Sequence, residues 1–138
     1  RGSVSTAAFL DSGIFIALMS RKDRWHDQAA ALFSGPTPRW STSVLVISET
    51  YSWFLHRMGE EQARTFRQLI GNLEDLRILE ATVAHHAEVA KALERFRGTK
   101  LTYVDASSLV HLEQKKISIV WSTDHHLGLS GAQVLPRS

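Results

Sequence analysis

The chain has no cysteine among its 138 residues, which excludes a disulfide framework, a zinc–thiolate centre and a cysteine nucleophile. It has no long apolar run either. Charges break the hydrophobic stretches every few positions, and none approaches the ~18 residues of a membrane span, so a membrane-spanning protein is excluded. Low-complexity tracts and internal repeats are missing, which removes the fibrous and solenoid classes. Excess charge of one sign is slight: 16 Lys and Arg face 14 Asp and Glu, a net charge of +2. That balance permits a polyanionic partner but suits many small enzymes equally, because net charge bears on association and not on fold. The opening residues Arg1-Gly2-Ser3-Val4 carry neither Met nor the apolar core of a signal peptide. Arg1 to Ser3 are therefore expected to be a remnant without functional weight. The lack of cysteine agrees with a reducing, cytoplasmic location, which is the expectation.

What is present is ordinary globular material, 43% hydrophobic and 22% charged, enough for one domain over residues 4–138 with a real core. Turn signals divide it. The apolar run Ala7 to Leu10 reads as a strand ending at Asp11, with Ser12-Gly13 opening a helix over Ile14 to Met19. Arg21 to Arg24 is a charged loop and His26 to Phe33 a short helix, followed by a break at Gly35 to Pro38. Trp40 to Ser43 reads as a brief extended piece, with Ser43 capping a helix from Val44 to Met58 that Gly59 ends. Ala63, Phe66, Leu69, Ile70 and Leu73 repeat at helical spacing, and Leu76 to Leu79 alternates as a strand. Thr82 caps a further helix stopped by Gly98, and Thr102 or Tyr103 begins one that reaches Lys115. Ile117 to Trp121 and Val134-Leu135 complete the strands. Helices alternating with short buried strands predict an α/β fold with a mainly parallel sheet, whose sites form beyond the carboxyl ends of the strands.

Four carboxylates stand out. Asp11 ends the first strand, where it serves equally as a helix cap or a site residue. Glu49 falls among Leu45, Val46 and Trp53 on the apolar side of its helix, where a carboxylate needs an ion pair, a hydrogen bond or a ligand. Asp105 shares a face with Leu109 and Leu112 in the first turn of its helix, where capping explains it in part. Asp124 follows the strand Ile119 to Trp121 through Ser122-Thr123, and a turn aspartate is the plain alternative. All four share one expected edge. Gathered carboxylates repel, raise one another's pKa and become tolerable with a divalent cation; oxygen ligands without cysteine favour Mg²⁺ or Mn²⁺ over zinc. An ion held so activates water and stabilises charge on a phosphodiester.

These residues form ordered motifs. Phe9-Leu10-Asp11-Ser12-Gly13, Thr42-Ser43 with Ser48-Glu49-Thr50, Leu101 to Ser108, and Ser122-Thr123-Asp124-His125-His126-Leu127 are followed by Gly131 and Val134-Leu135-Pro136. Each is weak alone, but in this order and spacing, from Phe9 to Pro136, the chain resembles the PIN-domain nucleases and, among them, the VapC-type toxins of toxin–antitoxin pairs. The resemblance implies a three-layer α/β/α sandwich with a short, mainly parallel sheet, and an endoribonuclease dependent on Mg²⁺ or Mn²⁺. Asp11, Glu49, Asp105 and Asp124 fall on the family's acidic quartet. Ser12 and Thr102, with Thr123 a weaker match, fall on hydroxyl positions that orient a carboxylate or a water at the metal. It also implies a homodimer and a small antitoxin that covers the acids. The family often has a further acid after the fourth and an aromatic two places beyond it; this chain has His125 and Leu127 there.

Other features carry less. Arg21, Lys22 and Arg24 beside Trp25 form a basic loop suited to RNA phosphates and stacking, although such loops are commonly just solvated. Setting the four acids aside leaves ten against sixteen bases, a remaining charge of about +6 that suits an RNA groove. His126 is placed to touch a substrate phosphate. Neighbouring histidines point about 100° apart on a helix, so His85-His86 and His125-His126 are poor chelating pairs. Trp40, Trp53 and Phe54 read as core or interface. Two competitors remain: a PIN-fold module that binds RNA or protein without turnover, and a phosphoaspartate receiver or phosphatase. The latter needs a second acid near the first strand, which Asp11-Ser12-Gly13 does not supply.

Overall fold

A computed structural model describes residues 6–136; Arg1 to Ser3, expected to be a remnant, lie outside the described residues. In chain order the elements are β1 (Ala7–Leu10), α1 (Ser12–Met19), α2 (His26–Ser34), β2 (Arg39–Ser43), α3 (Val44–Met58), α4 (Glu60–Asn72), β3 (Arg77–Leu79), α5 (Val83–Arg95), α6 (Tyr103–Lys115), β4 (Ile119–Trp121) and β5 (Gln133–Leu135), with a 3₁₀ segment His125–Ser130 before the last strand. No helix among them is long and apolar enough to cross a membrane.

The strands form one five-stranded sheet in the order β3-β2-β1-β4-β5, and every pairing is parallel. Register and side-chain alternation assign its two faces. Phe9 pairs with Ser41 and Val120, and its ring stacks towards His111 of α6. Ala8, Leu10, Trp40 and Trp121 therefore share the opposite face, where Trp121 packs edge-on and Trp40 tilted against Phe33 of α2, and the two indoles meet edge-on. Helices cover both faces, the three-layer sandwich that an apolar, fully buried β1 requires. A second aromatic seam runs Phe15–Phe66–Phe54–Trp53 and ties α1 to α4 and α3.

Local chemistry fixes the helix ends. The hydroxyls of Ser43, Thr82 and Thr102 accept the amides of Val46, His85 and Asp105, each satisfying an amide that the helix itself leaves unpaired. Gly59, at φ 97°, closes α3 and opens α4 in a conformation that a side chain would disfavour. Three details depart from the sequence pattern. Helix α1 begins at Ser12, not Ile14. The brief extended piece at Trp40 is a full strand between β1 and β3. Strand β4 starts at Ile119, because Lys116 turns left-handed after α6 and Ile117 is spent on re-entering the core.

One buried side chain ties β2 to the end of β1. The Thr42 hydroxyl donates to the Leu10 carbonyl at 2.8 Å, immediately before Asp11. Thr42→Val keeps the shape and removes that bond, so the protein should lose about 1 kcal/mol of stability, measurable by urea unfolding.

Candidate metal centre

The strand order positions the acids. From β1 the chain builds outward to β2 and β3, then returns to lay β4 on the other side of β1. Connections diverge there, opening a crevice at the carboxyl ends of β1 and β4. Asp11 leaves β1 at this point and its amide donates to the Trp121 carbonyl at 3.0 Å, prolonging the β1–β4 ladder by one rung. Asp124 leaves β4, while α3 and α6 bring Glu49 and Asp105.

Asp11 occupies the N-cap position of α1, yet its side chain makes no capping bond. It is buried and instead accepts a hydrogen bond from the Ser122 hydroxyl at 2.7 Å. The same Ser122 oxygen receives the Asp124 amide at 2.9 Å, so one serine couples the first acid to the last. Ser122 sits in the sequence motif but was assigned no role there; a small hydroxyl directly after a buried strand, two places before an acid, is the signal. Asp105 is likewise buried; its amide donates to the Thr102 hydroxyl at 3.1 Å, and the Thr102 hydroxyl and backbone amide in turn hold its carboxylate. Asp124 does cap, accepting the His126 amide at 2.9 Å, so the turn reading holds for it alongside its place in the cluster.

Glu49 corrects the helical-wheel expectation. It is exposed at the rim of the crevice and not packed on the apolar side of α3, whose buried residues are Val46, Thr50 and Phe54. Its partner is the Ser12 hydroxyl at 3.0 Å. Thr123, the weaker hydroxyl candidate, lies over Gly13: a Cβ added at Gly13 would collide with the Thr123 hydroxyl and crowd its backbone nitrogen at 3.2 Å. The glycine lets the Asp124 loop close onto α1.

Electrostatics show four acids within each other's reach. Burial pushes the Asp11 carboxyl up to about 7, opposed by the Ser122 and Ser12 hydrogen bonds and reinforced by Asp105 and Glu49. Burial raises Asp105, and partial desolvation raises the exposed Glu49; Asp105 and Asp124 add to the Glu49 shift, and Asp124 to that of Asp105. His126 enters the same cluster. Its Nδ1 is buried without a well-directed hydrogen bond, 3.3 Å from Asp124 Oδ1 and 3.5 Å from Asp105 Oδ2. Asp105, Asp124 and His126 each offer one donor atom, all within 4.8 Å of one another. The donor set is thus carboxylate plus imidazole, not oxygen alone as the sequence suggests. Crowded acids with raised pKa values and a buried imidazole nitrogen set between two carboxylates fit a divalent cation.

The basic loop lies elsewhere. Arg21, Lys22 and Arg24 are exposed beyond the far end of α1, about 12 Å of helix from Asp11, with Arg24 stacked over the Trp25 ring at 5.1 Å. The paired histidines diverge: His85 Nε2 meets the Ser107 hydroxyl and His86 Nδ1 the Tyr103 hydroxyl, both at 2.6 Å, while His125 is exposed.

Two expectations follow from this geometry. Gly13→Ala should displace the Asp124 loop, costing about 1–3 kcal/mol and weakening Mn²⁺ binding, as read by thermal unfolding with and without the ion. The second concerns pH. Folded Asp11 holds its proton up to about 7 whereas an unfolded aspartate releases it near 3.8, so the folded state binds more protons in between. Metal-free stability should therefore fall as pH rises from about 4 to about 7, by up to about 4 kcal/mol, and Asp11→Asn should flatten the profile in urea titrations.

The chain matches the family model "PIN domain" over residues 8–129. Among solved structures it is similar to VapC20 of Mycobacterium tuberculosis, described as a sarcin-ricin loop cleaving toxin. That match has a TM-score of 0.83 and 23% identity, covering 91% of this chain and 96% of the other. It is also similar to FitAcB from Neisseria gonorrhoeae, with a TM-score of 0.67 and 14% identity over 94% of this chain and 96% of that one. No curated protein sequence matches it. The family model covers most of the chain and the sheet order and sandwich agree with it, so this protein belongs to the PIN domain family.

Proposed function

We propose that residues 4–138 form one PIN domain acting as a divalent-metal-dependent endoribonuclease, the toxin of a two-component pair. One observation carries the reading: acids from four separate segments converge on the crevice between β1 and β4, with Asp11 buried and its carboxyl raised to about 7. A scaffold gains nothing from burying a carboxyl beside other acids, whereas a cation-binding hydrolase has a use for it.

Asp11, Asp105 and Asp124 are the residues that would hold Mg²⁺ or Mn²⁺, with the His126 ring beside them. When bound, such an ion lowers the pKa of a water and stabilises charge on a phosphodiester. The protein's own groups do the rest. Ser122 holds the Asp11 carboxylate in one orientation, and Thr102, which caps α6, does the same for the Asp105 carboxylate. Glu49, exposed and oriented by Ser12, is placed to assist at the metal or to receive the proton of the attacking water. Arg21, Lys22 and Arg24 extend the contact to RNA phosphates beyond the cleavage point. The likeness to VapC20, a sarcin-ricin loop cleaving toxin, supports an RNA substrate; a protein antitoxin that covers the acids, a homodimer and a cytoplasmic setting complete the proposal.

The test is incubation of purified protein with total RNA and Mg²⁺ or Mn²⁺, followed by mapping of new ends. Cuts should occur at defined sites, vanish with EDTA, and fall at least roughly 100-fold in Asp11→Asn and Asp105→Asn, both folded at least as stably as the parent. Cutting retained in Asp11→Asn would refute the assignment, and metal binding with RNA binding but no cutting would make the protein a binding module.

A further inference from the structure

The amino-terminal edge of the sheet, opposite the acids, holds a surface cavity of about 400 Å³. Arg39 and Arg77 at the starts of β2 and β3, Lys115 and Lys116 at the end of α6, and Asp75 and Trp40 form its walls. Among the described residues Asp75 is the one acid on these walls, facing Arg77, Lys115 and Lys116. Arg77, Lys115 and Lys116 are exposed, and among the described residues their side chains enter no ion pair; Lys91 and Arg95, by contrast, are matched to Glu88 and Glu113.

The backbone of the cavity wall is also unusual. Asp75 and Lys116 hold φ values of 59° and 54°, two of the three non-glycine residues in the left-handed region among the described residues. Glycine would adopt these angles without strain. The left-handed C-cap of α6 places the Lys116 charge on the cavity wall.

We propose that this cavity binds phosphates of the RNA backbone, a second anchor for the substrate on the side of the domain away from the acids. The proposal rests on the ribonuclease reading. Arginine forks and lysine charges together in a concave site suit phosphate oxygens, and a folded RNA is large enough to meet both edges of a sheet only about 10–16 Å deep along its strands.

Binding of a structured RNA hairpin in EDTA, where no cleavage occurs, tests it by fluorescence anisotropy between about 50 and about 200 mM salt. A combined Arg77→Gln, Lys115→Gln and Lys116→Asn protein should bind at least roughly tenfold more weakly at low salt, with the slope of log affinity against log salt reduced by about 2 to 3. Asp75→Asn, which keeps a residue tolerant of the left-handed angle, should tighten binding by roughly two- to threefold, a gain that misfolding cannot mimic. Metal-dependent hydrolysis of bis-para-nitrophenyl phosphate, too small to reach both edges, should be the same in all three proteins. Unchanged RNA affinity and salt slope in both variants would overturn the anchor, as would preference of the parent protein for polyglutamate over RNA. An anchor lost with its slope in a parent that cuts no RNA would uphold this site while refuting the nuclease; cutting by all three proteins with equal RNA affinity would do the reverse.

Discussion

A single serine hydroxyl joins the two strands on which the site depends. Ser122 donates to the buried Asp11 carboxylate and accepts the Asp124 amide, at the place where the chain reverses its direction of growth across the sheet. Were that link absent, Asp11 would be a buried carboxyl without a side-chain hydrogen bond, an expensive arrangement. With it, two acids 113 positions apart in sequence are registered to within a hydrogen bond of one oxygen. The glycine at position 13 completes the closure by letting the Asp124 loop lie directly on α1.

Burial and repulsion are balanced by the fold. Strands in a parallel sheet deliver helices whose amino ends face the same edge, and the starts of α1 and α6 lie beside Asp11 and Asp105, where their dipoles favour negative charge. Those dipoles and the hydroxyls of Ser12, Thr102 and Ser122 pull against the upward pressure on the carboxyl pKa values without cancelling it. The excess is what a cation would relieve. The opposite edge gathers bases, so the domain is polarised along its strands, acidic where chemistry is proposed and basic where a polyanion is proposed to rest.

Much of this was legible in the sequence, for identifiable reasons. Strands β1 and β4 show as short apolar runs each followed by an acid, and the caps Ser43, Thr82 and Thr102 bond as their positions promise. Asp105 and Asp124 come together with His126, while Asp11 and Glu49 stand near enough to feel Asp105. Glu49 was misplaced because a helical wheel assumes one continuous apolar face, whereas α3 turns its second turn toward the crevice and finds Ser12. The role of β2 was underrated because Arg39 to Ser43 carries only one large apolar residue and earns its central place through pairing and the Thr42 hydroxyl. His126 was placed near phosphate; that its ring nitrogen sits between two carboxylates depends on the 3₁₀ turn, which no periodicity announces.

Calorimetric titration of the metal-free protein with Mn²⁺ near pH 7, repeated in buffers of different ionisation enthalpy, tests the central claim most directly. If the acids form a cation site with Asp11 half-protonated, binding should release a fraction of a proton, lose that release in Asp11→Asn, and weaken strongly in Asp105→Asn. Binding without proton release, and indifferent to both substitutions, would contradict the account.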